Sequence, residues 1–472
     1  MSLHTTPETA METFDYLILG SGQATGTLLG DLLPRGARVA VVEGNQVGGS
    51  CVNYGCTPTK ALVASAKVAH QTRRSEDFGV ISGPVAIDYE AVKARMDRIR
   101  FASRDGLTEW MEGSDQVTLV RGWGRFEGPK TVRVGDRLLT APTIFINTGT
   151  RPRAPALEGL DSVPWLDSAR LLDLEAVPEH LLVLGGGYIG LEFAQVYRRL
   201  GAKVTVIASG DQLMPREDAD VAEALQQILT AEGIRIHLDA RAHAVSPITD
   251  RGVTLQYREG DRPATAVGSH LLIATGRVPN TDQLNLEAAG VSVNAHGYIE
   301  ADDCLRTQAE GIFAVGDVNG HGAFTHTSVN DAEIALDHLF DRGDRRLSSR
   351  VITYALFTDP PLGRVGLAEK EAISQGHRVL KATRLMRNIS RAREMSETDG
   401  FVKVLVDADS DLILGASILG VHGDEVINMF ATLIASHLPC RSFRKTVLVH
   451  PTVSELMPWT LDNLTEIESE AP

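Results

Sequence analysis

The sequence predicts an α/β protein: two nucleotide-binding domains built on parallel sheets, followed by a C-terminal α+β domain. Three observations lead there. A short apolar strand runs into a glycine-rich turn and a helix near residue 20, and the same design returns near residue 185. From about Arg345 the pattern changes to alternating segments such as Phe401–Val406, with helical periodicity around Asp424–Ser436 and no glycine turn. The 472 residues suggest about three domains, a size that needs no disulfide or metal staple.

The first unit opens with Asp15–Leu19, the glycines of Gly20-Ser21-Gly22, a helix from Gln23 to about Leu33 and a second buried strand over Arg38–Val42 that closes on Glu43. The second unit repeats it. Leu181–Leu184 is a strand, Gly185-Gly-Gly187-Tyr-Ile-Gly190 opens a helix to about Leu200, and Lys203–Ile207 is the next strand. Two further apolar strands end in Thr-Gly, at Thr148-Gly149 and Thr275-Gly276, each followed by an arginine, and they look like the last strand of each nucleotide domain. Gly311–Asp317 is another strand, ending in Gly-Asp.

These turns are Rossmann-like. A dinucleotide needs a tight turn, close approach of backbone to pyrophosphate, and a helix packed close to its strand, and small residues at three fixed spacings supply all three. Gly185, Gly187 and Gly190 meet the full pattern. The first copy has Gly20 and Gly22, but Thr25 stands at the third position, where it is expected to loosen the helix–strand packing. Glu43, at the end of the second strand, is placed to hold a ribose hydroxyl. In the second copy that position is Ala208. Without an acid there, the choice between NADH and NADPH stays open, with a lean to NADPH. Arg216 is a candidate for a 2′-phosphate, or else an ordinary surface partner of Glu217 or Asp218.

Lysine and arginine number 46 against 61 aspartates and glutamates, a net charge of −15. Nucleic acids and anionic membranes both call for basic patches, so neither partner is expected. The polar N-terminus lacks the apolar run of a secretory signal, and no segment reaches the roughly 20 apolar residues of a membrane span. A cytoplasmic protein is expected. Its four cysteines are too few for a secreted disulfide framework.

Two of them, Cys51 and Cys56, lie five positions apart. Zinc is disfavoured, since no further Cys or His follows until His70. A redox disulfide needs Cα atoms roughly 4.4–6.8 Å apart, whereas five residues of straight helix rise about 7.5 Å. The segment must therefore bend, and Gly55 provides the freedom. Thr57 and Pro58 look like the cap and first residue of a helix, which would set Cys56 beside its positive end and favour a thiolate. Cys304 looks like ordinary core, and so does Cys440, whose alternative is a third thiol near the interface.

With these motifs assembled, the chain resembles the flavoprotein disulfide reductase family, which includes glutathione reductase, dihydrolipoamide dehydrogenase and mercuric reductase. The carrying segments are Gly48–Lys60, Gly185–Glu192, Ala274–Arg277, Ala314–Asp317 and His450–Glu455, spread over essentially the whole chain. Gly185–Phe193, His321–Asp331 and Asn388–Arg393 look most like the mercuric-reductase-like branch. The resemblance implies FAD on residues 1–150 and 277–344, involving Gly20, Gly22, Glu43, Lys60, Thr148, Gly149 and Asp317. It implies NAD(P)H on residues 151–276, involving Gly185, Gly187, Tyr188, Gly190, Glu192 and Gly276, and a homodimer formed through residues 345–472. Cys56 would be the thiolate nearest the flavin and Cys51 the thiol that meets substrate. Lys60 and Glu192 would pair beside the flavin, Tyr188 would gate the nicotinamide, and His450, polarised by Glu455, would be the acid/base reaching in from the other subunit.

The expected substrate is a small-molecule disulfide. A thiophilic metal ion such as Hg(II) or Cu(II) is the alternative, with no resident metal. The retained His450/Glu455 pair and the lack of a C-terminal cysteine pair favour the disulfide.

Overall fold

The computed structural model describes residues 10–248 and 252–467, and its chain divides into two units. One comprises the residues up to Ala61, Lys93–Arg153 and Gly276–Arg350; the other comprises Leu62–Val92, Ala154–Thr275 and the chain from Val351 onward.

The first unit is organised by a five-stranded parallel sheet. Its order is Ile312–Ala314, Thr143–Ile146, Tyr16–Leu19, Val39–Glu43, Val117–Arg121. The strands read as continuous apolar runs because both faces are covered. Side chains alternate across a strand, so Ile18, Val39, Val41 and Phe145 pack against the helices Gln23–Leu32 and Thr325–Leu339. Their neighbours Leu17, Leu19, Val42 and Ile144 pack instead with Phe126, Val132 and Leu139 of a four-stranded sheet laid on the opposite face. Each fully buried side chain of this kind contributes roughly 1.5–3 kcal/mol. The sequence reads Thr143–Ile146 as the last strand of its nucleotide domain before the chain crosses into the next. It is the last strand of this sheet before the chain enters the second unit, and Ile312–Ala314 returns to lie outside it.

The second unit carries three separate sheets among the described residues. A parallel sheet of order Arg235–His237, Lys203–Ile207, His180–Leu184, His270–Ile273 is flanked by the helices Tyr188–Leu200 and Ala219–Ala231. A three-stranded antiparallel sheet supplies Val245, Val253 and Leu255 to its other face. The C-terminal part is a six-stranded antiparallel sheet whose centre, Phe401–Asp407 beside Ile413–Leu419, packs on the helix Gly423–Ala435. Among the described residues no helix is long and apolar enough to cross a membrane.

The two glycine turns are closed in different ways. A Cβ at Gly190 would lie 2.5 Å from the carbonyl oxygen of Gly185, so no side chain fits there. At the equivalent place in the first unit, Thr25 is fully buried and does not loosen the packing as its sequence position suggested. Its Oγ1 donates to Gly20 O at 3.0 Å and accepts from Asn147 Nδ2 at 3.0 Å, linking the helix to the turn and to the neighbouring strand end. Thr25→Val keeps the shape and removes both bonds. It is expected to destabilise the protein by about 2 kcal/mol, read from denaturant unfolding, because two buried polar groups lose a partner.

Candidate functional site

In the first unit, Glu43 ends its strand facing the glycine turn. Its Oε2 accepts from Ser21 N at 2.9 Å and Ser21 Oγ at 2.6 Å, and its Oε1 accepts from Asn45 N at 2.7 Å. A carboxylate has about four acceptor positions, so one remains for a hydroxyl. The helix Gln23–Leu32 has Gly22 at its N-cap with no side-chain cap, which leaves its first N–H groups available to a phosphate. These features fit the pyrophosphate and ribose of FAD. Asp317 lies in the short turn Gly316–Asn319 and accepts from Thr150 Oγ1 at 3.0 Å. Burial raises its pKa, with Arg277 and Thr150 opposing. Thr148 donates to Asn280 O at 3.0 Å, and Gly149 follows it with φ +65°. Gly276 groups with this first unit, its carbonyl accepting from Arg153 N.

In the second unit, Gly187 is the uncapped N-cap of the helix Tyr188–Leu200, with open space where a Cβ would stand. Tyr188 is the first, half-buried helical residue. The loop after the second strand folds back on the turn through Met214 N to Gly186 O at 2.9 Å. Glu217 and Asp218 do not serve as surface partners of Arg216. They are buried against Arg364, and Asp218 also meets Lys403 at 2.7 Å. Arg216 itself is exposed.

The helix Tyr188–Leu200 carries a polar stripe at i, i+3 and i+7 on an otherwise apolar buried face. Glu192, 4% exposed, accepts the N–H of Phe357 at 2.9 Å. Gln195 exchanges two bonds of 2.8 Å with the backbone of Asp359. Arg199 meets Asp359 Oδ2 at 2.6 Å and Glu232 Oε1 at 2.7 Å. Lys67 reaches Asp359 Oδ1 at 2.8 Å. The segment 357–359 is thereby pinned along the helix, and Glu192 is held in one orientation. Gln195, Arg199 and Asp359 were not singled out from the sequence; polar residues at helical spacing in an apolar run were the available signal.

The two cysteines sit on either side of a sharp break. Cys51 is in the helix Gly49–Tyr54 and Cys56 begins the helix Cys56–Arg73, one residue before the cap expected at Thr57. Pro58 falls within the first turn, where its missing N–H costs no helical bond. Gly55 makes the break, and a Cβ there would meet Ser50 O at 3.0 Å. Neither cysteine is in a disulfide. The Cys51 thiol is pushed well above its ordinary pKa, first by its hydrogen bond with Cys56, then by burial and by negative charge on Cys56; Thr325 and Lys60 oppose the rise. The pair therefore favours one thiolate at a time. Thr325, the first residue of the helix Thr325–Leu339, donates to Cys51 Sγ at 3.0 Å and stands 3.6 Å from Cys56 Sγ. Two helix N-termini thus border the dithiol, and each favours negative charge.

Cys304 and Cys440 are buried as expected, and burial pushes the Cys440 thiol up to about 11. In the C-terminal part, His450 Nδ1 lies 2.7 Å from Glu455 Oε2. The ring is 75% exposed and its carboxylate partner only 12%. Val447 and Val449 beside it are exposed as well. A carboxylate on Nδ1 leaves Nε2 as the nitrogen that exchanges a proton.

Two glycine turns with no side-chain cap, a close pair of cysteines and a histidine–carboxylate dyad are the features of the chain that could carry function. The chain belongs to the pyridine nucleotide-disulphide oxidoreductase family, whose model matches residues 14–333, with the family's dimerisation domain matching 352–461. The family uses FAD and NAD(P)H, and the dimerisation domain indicates a homodimer. The chain is 34% identical over 453 residues to RclA of Escherichia coli, described as a probable pyridine nucleotide-disulfide oxidoreductase, covering 94% of this chain and 98% of that protein. It is 31% identical to dihydrolipoyl dehydrogenase of Thermus scotoductus, covering 94% and 96%. It is 32% identical to mercuric reductase of Acidithiobacillus ferrooxidans, covering 93% and 80%. A solved Cu(II) complex of the HOCl-induced flavoprotein disulfide reductase RclA matches with a TM-score of 0.87 at 33% identity, covering 96% of this chain and 99% of that one.

Thr325→Val is expected to slow iodoacetamide labelling of Cys51 in the reduced protein about tenfold at fixed pH, with Thr325→Ser restoring it, because a hydrogen bond to a charged acceptor contributes roughly 1.5 kcal/mol or more. Asp359→Asn tests the buried network. Burial alone would raise the Asp359 carboxyl, but Arg199 and Lys67 outweigh it and hold the group below its ordinary value. A depressed carboxylate stabilises the fold above its unfolded pKa of about 3.9, and that contribution is lost as pH falls through the lower folded value. The variant should lose on the order of 3 kcal/mol at pH 7. Its deficit against wild type should shrink below about pH 4, read by urea unfolding across pH.

Proposed function

We propose that the protein is a cytoplasmic, NAD(P)H-dependent flavoprotein that passes electron pairs through Cys51 and Cys56 to a small-molecule disulfide. The observation that carries this reading is the dithiol itself, a half-buried Cys51 and an exposed Cys56 in hydrogen-bond contact, together with the formed His450–Glu455 dyad. On this reading residues 1–150 and 277–344 hold FAD, 151–276 hold the nicotinamide nucleotide and 345–472 join two copies. Bound FAD would supply the two-electron relay between nicotinamide and the Cys51–Cys56 disulfide. The lean to NADPH rests on the absence of an acid at Ala208 and on exposed Arg216.

The chain's own groups then do the following. Cys51 attacks one sulfur of the substrate, and the first substrate thiol leaves as Cys51 becomes a mixed disulfide. His450 of the second copy takes the proton from Cys51 and delivers it through Nε2 to that leaving thiolate. Cys56, as thiolate, attacks the Cys51 sulfur, which closes the internal disulfide and expels the second substrate sulfur as a thiolate that takes its proton from solvent. Two electrons from the dithiol, one proton from Cys51 and one from solvent convert one disulfide to two thiols. Lys60 and Glu192 would pair beside the flavin and tune hydride entry, and Tyr188 would gate the nicotinamide pocket.

A second reading is a metal-ion reductase in which the same two thiols hold a thiophilic ion. It is favoured by the kinship with a mercuric reductase and with a protein solved as its Cu(II) complex.

The deciding experiment is steady-state oxidation of NADH and NADPH by the FAD-loaded protein with glutathione disulfide, lipoamide, Hg(II) and Cu(II). Turnover of a disulfide should fall to background in Cys51→Ser, and by about 10²–10⁴-fold in His450→Ala, the usual contribution of a general acid/base. Full activity of His450→Ala on every disulfide would refute the first reading. Metal-dependent oxidation that survives loss of His450 but not of Cys51 would establish the second.

A further inference from the structure

In a dinucleotide fold the acid ending the second strand holds the ribose of the adenosine half. The adenine is joined to that ribose, so it must rest on whatever borders the acid. In the first unit that border is Trp123. Gly122 N–H donates to the carbonyl of Glu43 at 2.9 Å, which brings the next residue alongside the strand end. The indole then lies over Gly44, the residue after Glu43. A Cβ at Gly44 would stand 2.6, 2.8 and 2.9 Å from ring atoms Cδ2, Cε3 and Cε2. Any residue larger than glycine there would displace the ring. Trp123 is 67% exposed, although tryptophan is highly buried on average. One part of the ring is thus seated on Gly44 and the remainder is presented beside the acid.

We propose that Trp123 is the adenine platform of the FAD site, a flat aromatic surface on which the base stacks, with Gly44 as the bed that sets its position. The proposal rests on the assignment of the first glycine turn to FAD. Stacking on an aromatic side chain suits a purine because it needs only the π-face of the base and no hydrogen-bond pattern. Glu43 then fixes the ribose, and Trp123 fixes the plane of the base attached to it.

The test is flavin release from purified holoenzyme on serial dilution, read as the rise in free-flavin fluorescence, with near-UV circular dichroism to check folding. Trp123→Ala should release half its FAD at about tenfold higher protein concentration than wild type. Trp123→Phe should stay close to wild type. Gly44→Ala, which leaves Trp123 in the chain but moves the ring, should resemble Trp123→Ala. Half-release of folded Trp123→Ala at the wild-type concentration overturns the proposal, and so does a Trp123→Phe variant as weak as Trp123→Ala. A wild-type protein that carries no FAD overturns the assignment of the first turn and the platform with it; FAD held equally by all variants overturns only the platform.

Discussion

At both glycine turns, backbone passes backbone at a distance that excludes a Cβ. A Cβ on Gly20 would stand 2.3 Å from the carbonyl oxygen of Asn147, and one on Gly185 would stand 2.4 Å from that of Ala274. In each case a strand ends, the chain turns tightly past the neighbouring strand end, and a helix begins with its first N–H groups uncapped. Those open N–H groups are what an anionic pyrophosphate needs. Both sites proposed for a nucleotide descend from this constraint. Glu43, the return loop with Met214 and the polar stripe from Glu192 to Arg199 are all placed by the strands and helices that the two turns join.

The dithiol follows a related electrostatic logic. Cys51 and Cys56 stand where two helices begin, Cys56–Arg73 and Thr325–Leu339. Two thiolates side by side repel, so one proton is retained, and the Cys51 thiol is raised well above its ordinary value. Thr325 and Lys60 oppose that rise. An attacking thiol that keeps its proton needs a base, and a leaving thiolate needs an acid. One exposed imidazole backed by a less exposed carboxylate can do both, and His450 with Glu455 has that form.

Much of this was legible in the residues. Apolar runs flanked by glycine marked the parallel strands because both faces of such sheets are covered. The Cys51–Cys56 spacing required a bend at Gly55, since a straight helix holds the two too far apart. Other features were hidden. Thr25 looked like a flaw in the first glycine pattern, yet its hydroxyl joins Gly20 to Asn147, a residue 122 positions away. Glu217 and Asp218 looked like surface acids beside Arg216, yet they turn inward to Arg364 and Lys403.

By itself the sequence determined the fold class, the two glycine turns, the acid Glu43 at the end of its strand and the close cysteine pair. These depend on short-range spacing, and short-range geometry is set by chain stereochemistry. Only the tertiary structure decided which groups stand around those residues. Thr325 is 274 positions from Cys51, and Asp359 is 160 from Arg199. Trp123 is brought to Gly44 by the pairing of Val39–Glu43 with Val117–Arg121. Such neighbours are chosen by the packing of the sheets, and no local pattern in the chain encodes them.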